Sequence, residues 1–399
     1  FSEDQIDLNF SNPQVLLEII KLILFYSENG ASLIRLDAVG YIWKLVGSSS
    51  LNLPQAHAVV KILRAVLNIA APNTGIITET NVPHKENIAY FGEIDGEMET
   101  PGKPHSGDEA QMVYNFSLAP LILHTFHTEN ASILSNWART LGVPFQDSAF
   151  FNFIASHDGI GVMPAKGLLS DEQIQALVDK TLLHGGEASF KTNSDGTKSV
   201  YELNITLFDA LNDPAEENSN LAVKRFLASQ AIMLSLAGVP GIYIHSLFGS
   251  QNCFSCQQET GRARSLNREK FDLDQLKSDL ENQENIHRHI LNEYRSLLLI
   301  RQTQPAFHPA AAQEIIDSNN AIFMLLRTNK KNQSRIFCLI NVSSNFQTTN
   351  IDLSGSGLNG VVAFDDLLSD QSLAADNGHL QVSLEAYQIQ WLIQKFPVI

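Results

Sequence analysis

Cysteine is scarce: Cys253, Cys256 and Cys338 are the only three in 399 residues. That is too few for a disulfide framework and predicts a reducing compartment, the cytoplasm by default. Cys253-Phe254-Ser255-Cys256 is a lone C-x-x-C with no second pair to complete a tetrahedral zinc shell, so neither a metal site nor a cofactor is expected there. Positive charge is also short. Lys plus Arg number 27 against 43 Asp plus Glu, a net charge of −16, which repels phosphate backbones and anionic lipid surfaces and argues against nucleic acid as a partner. No long uninterrupted apolar run occurs. The stretch 227–247 contains Ser229, Gln230, Ser235 and His245 and breaks at Gly238-Val239-Pro240-Gly241, so it reads as a buried helix, a turn and a buried strand at 241–246, with no membrane span. The start, Phe1-Ser2-Glu3-Asp4, lacks an initiating Met, a basic n-region and an apolar h-region, and reads as the interior of a longer chain.

What is present is ample apolar material, 44% of residues, enough for two or three domains at about 100 to 200 residues each. Asn12-Pro13 opens an apolar-rich run that ends at Asn29-Gly30, the cap, first-turn proline and terminal glycine of a helix. A short apolar strand follows at 32–37, then a helix at 54–70 and a strand at 75–79. The theme repeats with strands at 111–116 and 150–157 and helices at 118–126 and 133–141. Ser170 and Gln173 offer a capping box for a helix reaching about Leu183, and Ser194-Asp195-Gly196 reads as a hairpin turn. This alternation predicts a parallel α/β architecture, either a doubly wound sheet or a (β/α)8 barrel; periodicity does not choose between them. From about Gln304 the pattern changes to short alternating segments at 321–327, 335–341, 360–364 and 387–393, which predicts a separate all-β domain over 304–399.

Charged residues recur at the C-terminal ends of the expected strands: Asp37, then Glu79, then His157-Asp158. In parallel α/β folds that edge carries reactive groups. Within Leu33-Ile34-Arg35-Leu36-Asp37 the two-residue period puts Arg35 and Asp37 on one face. An adjacent arginine keeps a carboxylate ionised and able to attack an electrophilic carbon, although the same pair would also serve as a plain strand-end salt bridge. Three acids in one pocket do not all ionise cheaply, so the one in the most apolar setting holds its proton and suits a general acid. A carboxylate nucleophile beside a carboxylic acid is the division of labour of glycoside chemistry.

Three segments resemble signature motifs of the α-amylase superfamily of retaining glycoside hydrolases, in matching order and spacing: I-R-L-D-A-V-G-Y-I-W-K at 34–44, I-I-T-E-T-N at 76–81 and S-H-D-G-I-G-V at 156–162. The opening D-Q-I-D-L-N-F-S-N-P-Q-V at 4–15 and T-G-R-A-R-S-L-N-R at 260–268 are similar to segments of its sucrose phosphorylase branch. The resemblance implies Asp37 as nucleophile, Glu79 as general acid and later base, and Asp158 as the residue that holds sugar hydroxyls and stabilises the transition state. It gives Arg35 and His157 the roles of orienting the nucleophile and gripping the sugar. It also implies a (β/α)8 barrel over 1–303 that lacks its first three strands and keeps strands four to eight, followed by a β-sandwich at 304–399. A whole barrel takes about 250 residues, so a gene product roughly 150 to 200 residues longer is expected.

Attack on the glucosyl enzyme by water gives a hydrolase, by a sugar hydroxyl a transglucosidase, and by phosphate a phosphorylase. Arg262, Arg264 and Arg268 cluster where phosphate must arrive, and arginine matches phosphate oxygens in bidentate fashion. The expectation is therefore a phosphorylase that takes a small α-glucoside of sucrose or glucosylglycerate type and inorganic phosphate, with no cofactor. An inactive, truncated relative kept for binding or scaffolding is the alternative from another class: the presence of Asp37, Glu79 and Asp158 argues against it, and the missing first strands argue for it. Two departures from the family pattern stand out. Asn252-Cys253 replaces a common Asn-Asp beside the glucosyl unit, leaving Asn252 as the sugar contact, and 93–105 reads as an extra loop. His84, in Val82-Pro83-His84, is expected to line the acceptor site.

Overall fold

The computed structural model describes residues 6–93, 106–192, 196–215, 219–354, 358 and 361–395. Most of the extra loop at 93–105, the tip of the 194–196 turn, the first two residues of the 4–15 motif and the start of the 360–364 segment lie outside them. Two units are distinguished, one of residues 1–116, 142–151 and 192–197, the other of 117–141, 152–191 and 198–399.

In the first unit, α1 (Pro13–Glu28) begins where the Asn12 side chain accepts the Gln14 N–H, and Pro13 supplies a residue that needs no N–H partner. It is followed by β1 (Leu33–Leu36), α2 (Pro54–Ala70) and β2 (Gly75–Thr78). The apolar stripe of α2, Val59, Leu63 and Leu67, packs with Ile23, Ile34 and Ile76. β1 and β2 pair in parallel with Arg35 opposite Ile77 and Leu36 opposite Thr78. β3 (Met112–Asn115) and β4 (Ala149–Asn152) continue the sheet in the order β1-β2-β3-β4. Gln111 staples it, since its side chain accepts the Ile76 N–H and its carbonyl accepts the Ala149 N–H. The parallel order puts the C-terminal ends of β1 and β2 side by side.

β4 stops at Asn152, five residues before the expected end at His157. Beyond it the chain leaves the ladder so that the Ser156 and Asp158 carbonyls both accept from the Asn267 side chain. The expected strand at 241–246 is likewise corrected. The paired strand is Val239–Pro240 alone, the Gly241 N–H donates to Asn152 O, and Ile244–Phe248 forms one helical turn. Pro240 has no N–H to extend a ladder, and Gly249 closes the turn at φ +59°, where a side chain would collide with Ile290. The capping box at Ser170 and Gln173 forms as expected and starts the helix Asp171–Leu183.

The end of the chain is antiparallel β throughout. A six-stranded sheet (Ala312–Ile315, Ile322–Asn329, Ser334–Asn341, Ala363–Asp366, Ser372–Ala374 and Ile389–Lys395) faces a two-stranded one (Gln347–Asp352 and His379–Leu384). Alternation sorts the side chains: Met324, Leu326, Phe337 and Leu339 pack toward Val382 and Leu384. Phe323, Leu325, Ile336 and Cys338 face the helix Ser219–Ser235 instead. Arg327 shares that second face, fully buried, and its guanidinium donates to Ser235 O at the helix C-terminus and to His308 O and Ala311 O.

One further expectation is revised. Cys253 and Cys256 form a disulfide, their Cα atoms 5.3 Å apart, a spacing that a bridge accommodates. Cys253 caps the helix Phe254–Thr260, and the first turn brings Cys256 back over it. Among the described residues no helix is long and apolar enough to cross a membrane.

Candidate active site

In the first unit Asp37 and Glu79 each follow the last residue of a strand, β1 and β2 respectively, and the Glu79 N–H donates to Leu36 O at 3.1 Å. Arg35 points to the same edge. One of its terminal nitrogens lies 2.5 Å from Asp37 Oδ1 and the other 3.9 Å from Glu79 Oε2. Its Nε donates to the Tyr114 hydroxyl at 3.0 Å, and the guanidinium sits 5.5 Å from the Tyr114 ring centroid. The two acids differ in exposure. The Asp37 side chain is 70% exposed and Glu79 only 14%, so the first is open to an incoming molecule and the second is sheltered. Ala38 adopts φ +45°, an uncommon conformation for a residue with a side chain, and thereby turns its N–H onto Glu79 Oε2 at 2.8 Å. Burial, with the Glu79 charge adding to it, raises the Tyr41 hydroxyl pKa; burial also raises that of Tyr114, against the pull of Arg35. His84 belongs to the same unit, half-buried and stacked on Phe150 at 5.8 Å, and burial lowers its pKa so that the neutral ring is favoured.

The second unit holds Asp158 at the centre of a charged cluster. Arg264 donates to Asp158 Oδ1 at 2.7 Å, Arg268 donates to the same oxygen at 3.2 Å and also to His157 O, and His157 Nε2 lies 3.5 Å from Asp158 Oδ2. The opposite edge of Arg264 is bidentate on Glu202, with Nε and a terminal nitrogen 3.1 and 2.8 Å from its two oxygens. Glu202 is buried, which raises its pKa, while Arg264 opposes that rise. Asp158 and Asn267 line a cleft together with Ser156, Tyr243, His245 and Phe208. Asn252 has a different environment. It is buried, its amide oxygen accepts the Thr206 N–H, its amide nitrogen donates to His184 O, and its own N–H donates to Asp209.

The expected site residues thus fall into two groups: Arg35, Asp37 and Glu79 in one unit, His157, Asp158, Arg264 and Arg268 in the other. Tyr114, Asn267 and Glu202 join them without having been singled out in the sequence. Glu202 left a trace there, as a lone acid in Val200-Tyr201-Glu202-Leu203, a segment otherwise of strand character. Among the described residues no group of three or more His, Cys, Asp or Glu side chains could hold a metal ion.

The fold is that of an enzyme of the α-amylase type. It superimposes on the sucrose 6F-phosphate phosphorylase of Thermoanaerobacter thermosaccharolyticum with a TM-score of 0.69 over 94% of this chain and 68% of that one, at 21% identity. In sequence the chain is 47% identical over 344 residues to the glucosylglycerate phosphorylase of Allomeiothermus silvanus, covering 86% of this chain and 59% of the relative. It is 40% identical to the glucosylglycerate phosphorylase of Spirochaeta thermophila, covering 98% and 65%. The chain therefore belongs to the sucrose phosphorylase branch of the α-amylase superfamily. It spans about three fifths to two thirds of the length of these two relatives. No family model matches it.

Proposed function

We propose that this chain carries the catalytic carboxylates of a retaining α-glucoside phosphorylase whose donor is glucosylglycerate or a similar small α-glucoside. In this reading residues 1–303 are the catalytic barrel portion and 304–399 a β-sandwich. An Asp37 oxygen attacks the anomeric carbon as the bond to the leaving oxygen breaks, and the Glu79 carboxylic acid gives that oxygen its proton. A phosphate oxygen then attacks the same carbon, the bond to Asp37 breaks, and Glu79 takes the phosphate proton, giving α-glucose 1-phosphate. Asp158 holds sugar hydroxyls, assisted by His157, and His84 faces the leaving group. Arg264 and Arg268 present their cationic edges to phosphate.

The observation that carries the reading is the Arg35 bridge. One cation sits 2.5 Å from an exposed carboxylate and 3.9 Å from a sheltered one, at the ends of neighbouring parallel strands. Such a pair suits one group to attack and the other to exchange a proton. The glucosylglycerate phosphorylases at 47% and 40% identity support phosphate, rather than water, as the second attacker.

The test is incubation with glucosylglycerate, and separately sucrose, in the presence of inorganic phosphate. Formation of α-glucose 1-phosphate is the expected result. Free glucose with no phosphate incorporated would move the assignment to a hydrolase, and transfer to a second sugar would move it to a transglucosidase. Asp37→Asn should abolish turnover by removing the covalent step.

A further inference from the structure

Arg264 and Asp158 stand 2.7 Å apart, yet they do not form the two-pronged pair that an arginine and a carboxylate adopt when left to themselves. The fork of Arg264 is taken up by Glu202, which receives Nε and one terminal nitrogen, and Asp158 receives the other terminal nitrogen only. Arg268 donates to the same oxygen, Oδ1, at 3.2 Å. Both arginines therefore converge on one oxygen of Asp158, and Oδ2 faces His157 Nε2 at 3.5 Å.

Glu202 is built into this position. It lies on the strand Lys198–Asn204, whose Glu202 pairs with Gly161 and whose Leu203 pairs with Ile160, directly after the His157-Asp158-Gly159 segment. Gly159 allows that approach: a Cβ there would stand 2.9 Å from both Glu202 Cβ and Leu203 O. The Glu202 side chain is 4% exposed, so it touches neither solvent nor an incoming sugar and acts only through what it holds. A buried carboxylate with an arginine fork across it gives that arginine one fixed orientation.

We propose that Glu202 is a positioning residue that captures the fork of Arg264 and so keeps Asp158 Oδ2 available to the sugar. The inference rests on the glycoside chemistry proposed above. Without Glu202, Arg264 would close in bidentate fashion on Asp158 and engage both of its oxygens, turning a sugar-holding carboxylate into a satisfied ion pair.

The experiment is a double-mutant cycle of Glu202→Gln and Arg264→Gln, read by kcat/KM for the donor at saturating phosphate, which reports formation of the glucosyl enzyme and is blind to any phosphate contact of Arg264, with thermal unfolding recorded for each variant. Glu202→Gln should cost about 10- to 100-fold in kcat/KM with folding retained, and Glu202→Asp should recover part of it. The double variant should be no worse than Glu202→Gln alone, because the harm of losing Glu202 is done by Arg264. Wild-type kcat/KM in Glu202→Gln, losses that simply multiply, or a loss that tracks the unfolded fraction would each overturn the assignment. Failure of the phosphorylase reading looks different. The wild-type protein would then release glucose without glucose 1-phosphate, and the same cycle read on hydrolysis would still decide the role of Glu202.

Discussion

Arg35 is shared by two carboxylates of unequal exposure: its guanidinium lies 2.5 Å from Asp37 and 3.9 Å from Glu79. A planar fork spans two acids in a way that the point charge of a lysine does not. Arg35→Lys should therefore keep the local charge and lose the shared geometry. The expected loss is about 10- to 100-fold in kcat/KM, the worth of one or two charge-assisted hydrogen bonds, with little change in melting temperature. Steady-state kinetics beside a thermal scan would check it, and a variant within about threefold of wild type would deny Arg35 a part in the chemistry.

Tyr114 supports the same cation from behind. Its hydroxyl accepts from Arg35 Nε at 3.0 Å, and its ring also lies near Phe116 and Phe151, so the ring stays anchored when the hydroxyl is removed. Tyr114→Phe should lower kcat/KM by about two- to tenfold, the range of one net hydrogen bond. A larger loss would mean that the hydroxyl touches the substrate itself.

Gly159 is the backbone condition for the Asp158 cluster. A methyl group there would meet Leu203 O at 2.9 Å and Asn204 Oδ1 at 3.0 Å, and the backbone oxygen has no room to give. Gly159→Ala should push the strand Lys198–Asn204 away, costing about 1 to 3 kcal/mol of stability and loosening the Glu202 clamp together with it. Urea denaturation measures the first effect and kcat/KM the second; an alanine variant with wild-type values of both would show that the strand yields freely.

Local chemistry made much of the α/β part legible. Asn12-Pro13 and Gly30 bracket a helix whose bounds come out at Pro13–Glu28, and the Ser170–Gln173 capping box is present as expected. The short strands ending at Asp37 and Glu79 were readable because apolar residues run right up to a charged one. What stayed hidden depends on partners far along the chain. The turn Ile244–Phe248 carries the apolar residues of a buried strand, and Pro240 and Gly249 decide otherwise. β4 ends at Asn152 because Asn267, more than a hundred residues later, claims the carbonyls of Ser156 and Asp158. Glu202 had no motif to mark it, since its role exists only through Arg264. The Asn252 amide, read as a sugar contact, bonds to Thr206 and His184, two partners that no local spacing could foretell.

Two groups in the second unit, the buried Asp209 and the half-buried His127, set opposing pH slopes on stability. Burial holds the pKa of Asp209 up at about 6, from an ordinary 3.8, against the hydrogen bonds it accepts from Asn252, Gln251 and Thr206. Burial also pushes His127 down to about 4, from 6.5, against its hydrogen bond to Ala210 O and with the neighbouring charges of His184, Lys180 and His124 in support. Between those limits the folded state holds the Asp209 proton that the unfolded chain releases, so this contribution is present at low pH and is lost as pH rises through about 6. His127 runs the other way: the unfolded chain takes up a proton that the folded state refuses, so its contribution is present above 6.5 and is lost as pH falls toward about 4. Each amounts to about 3 kcal/mol at full extent, and in the wild type they nearly cancel. Asp209→Asn should leave the His127 slope exposed, with stability falling on acidification. His127→Gln should leave the Asp209 slope, with stability rising over the same interval. Urea denaturation from about pH 4 to about pH 7 compares the three proteins, and every other titrating group is common to all of them and drops out of the differences. Three parallel curves would mean that Asp209 and His127 each keep the same protonation in the folded and the unfolded chain, and that their burial leaves no mark on stability.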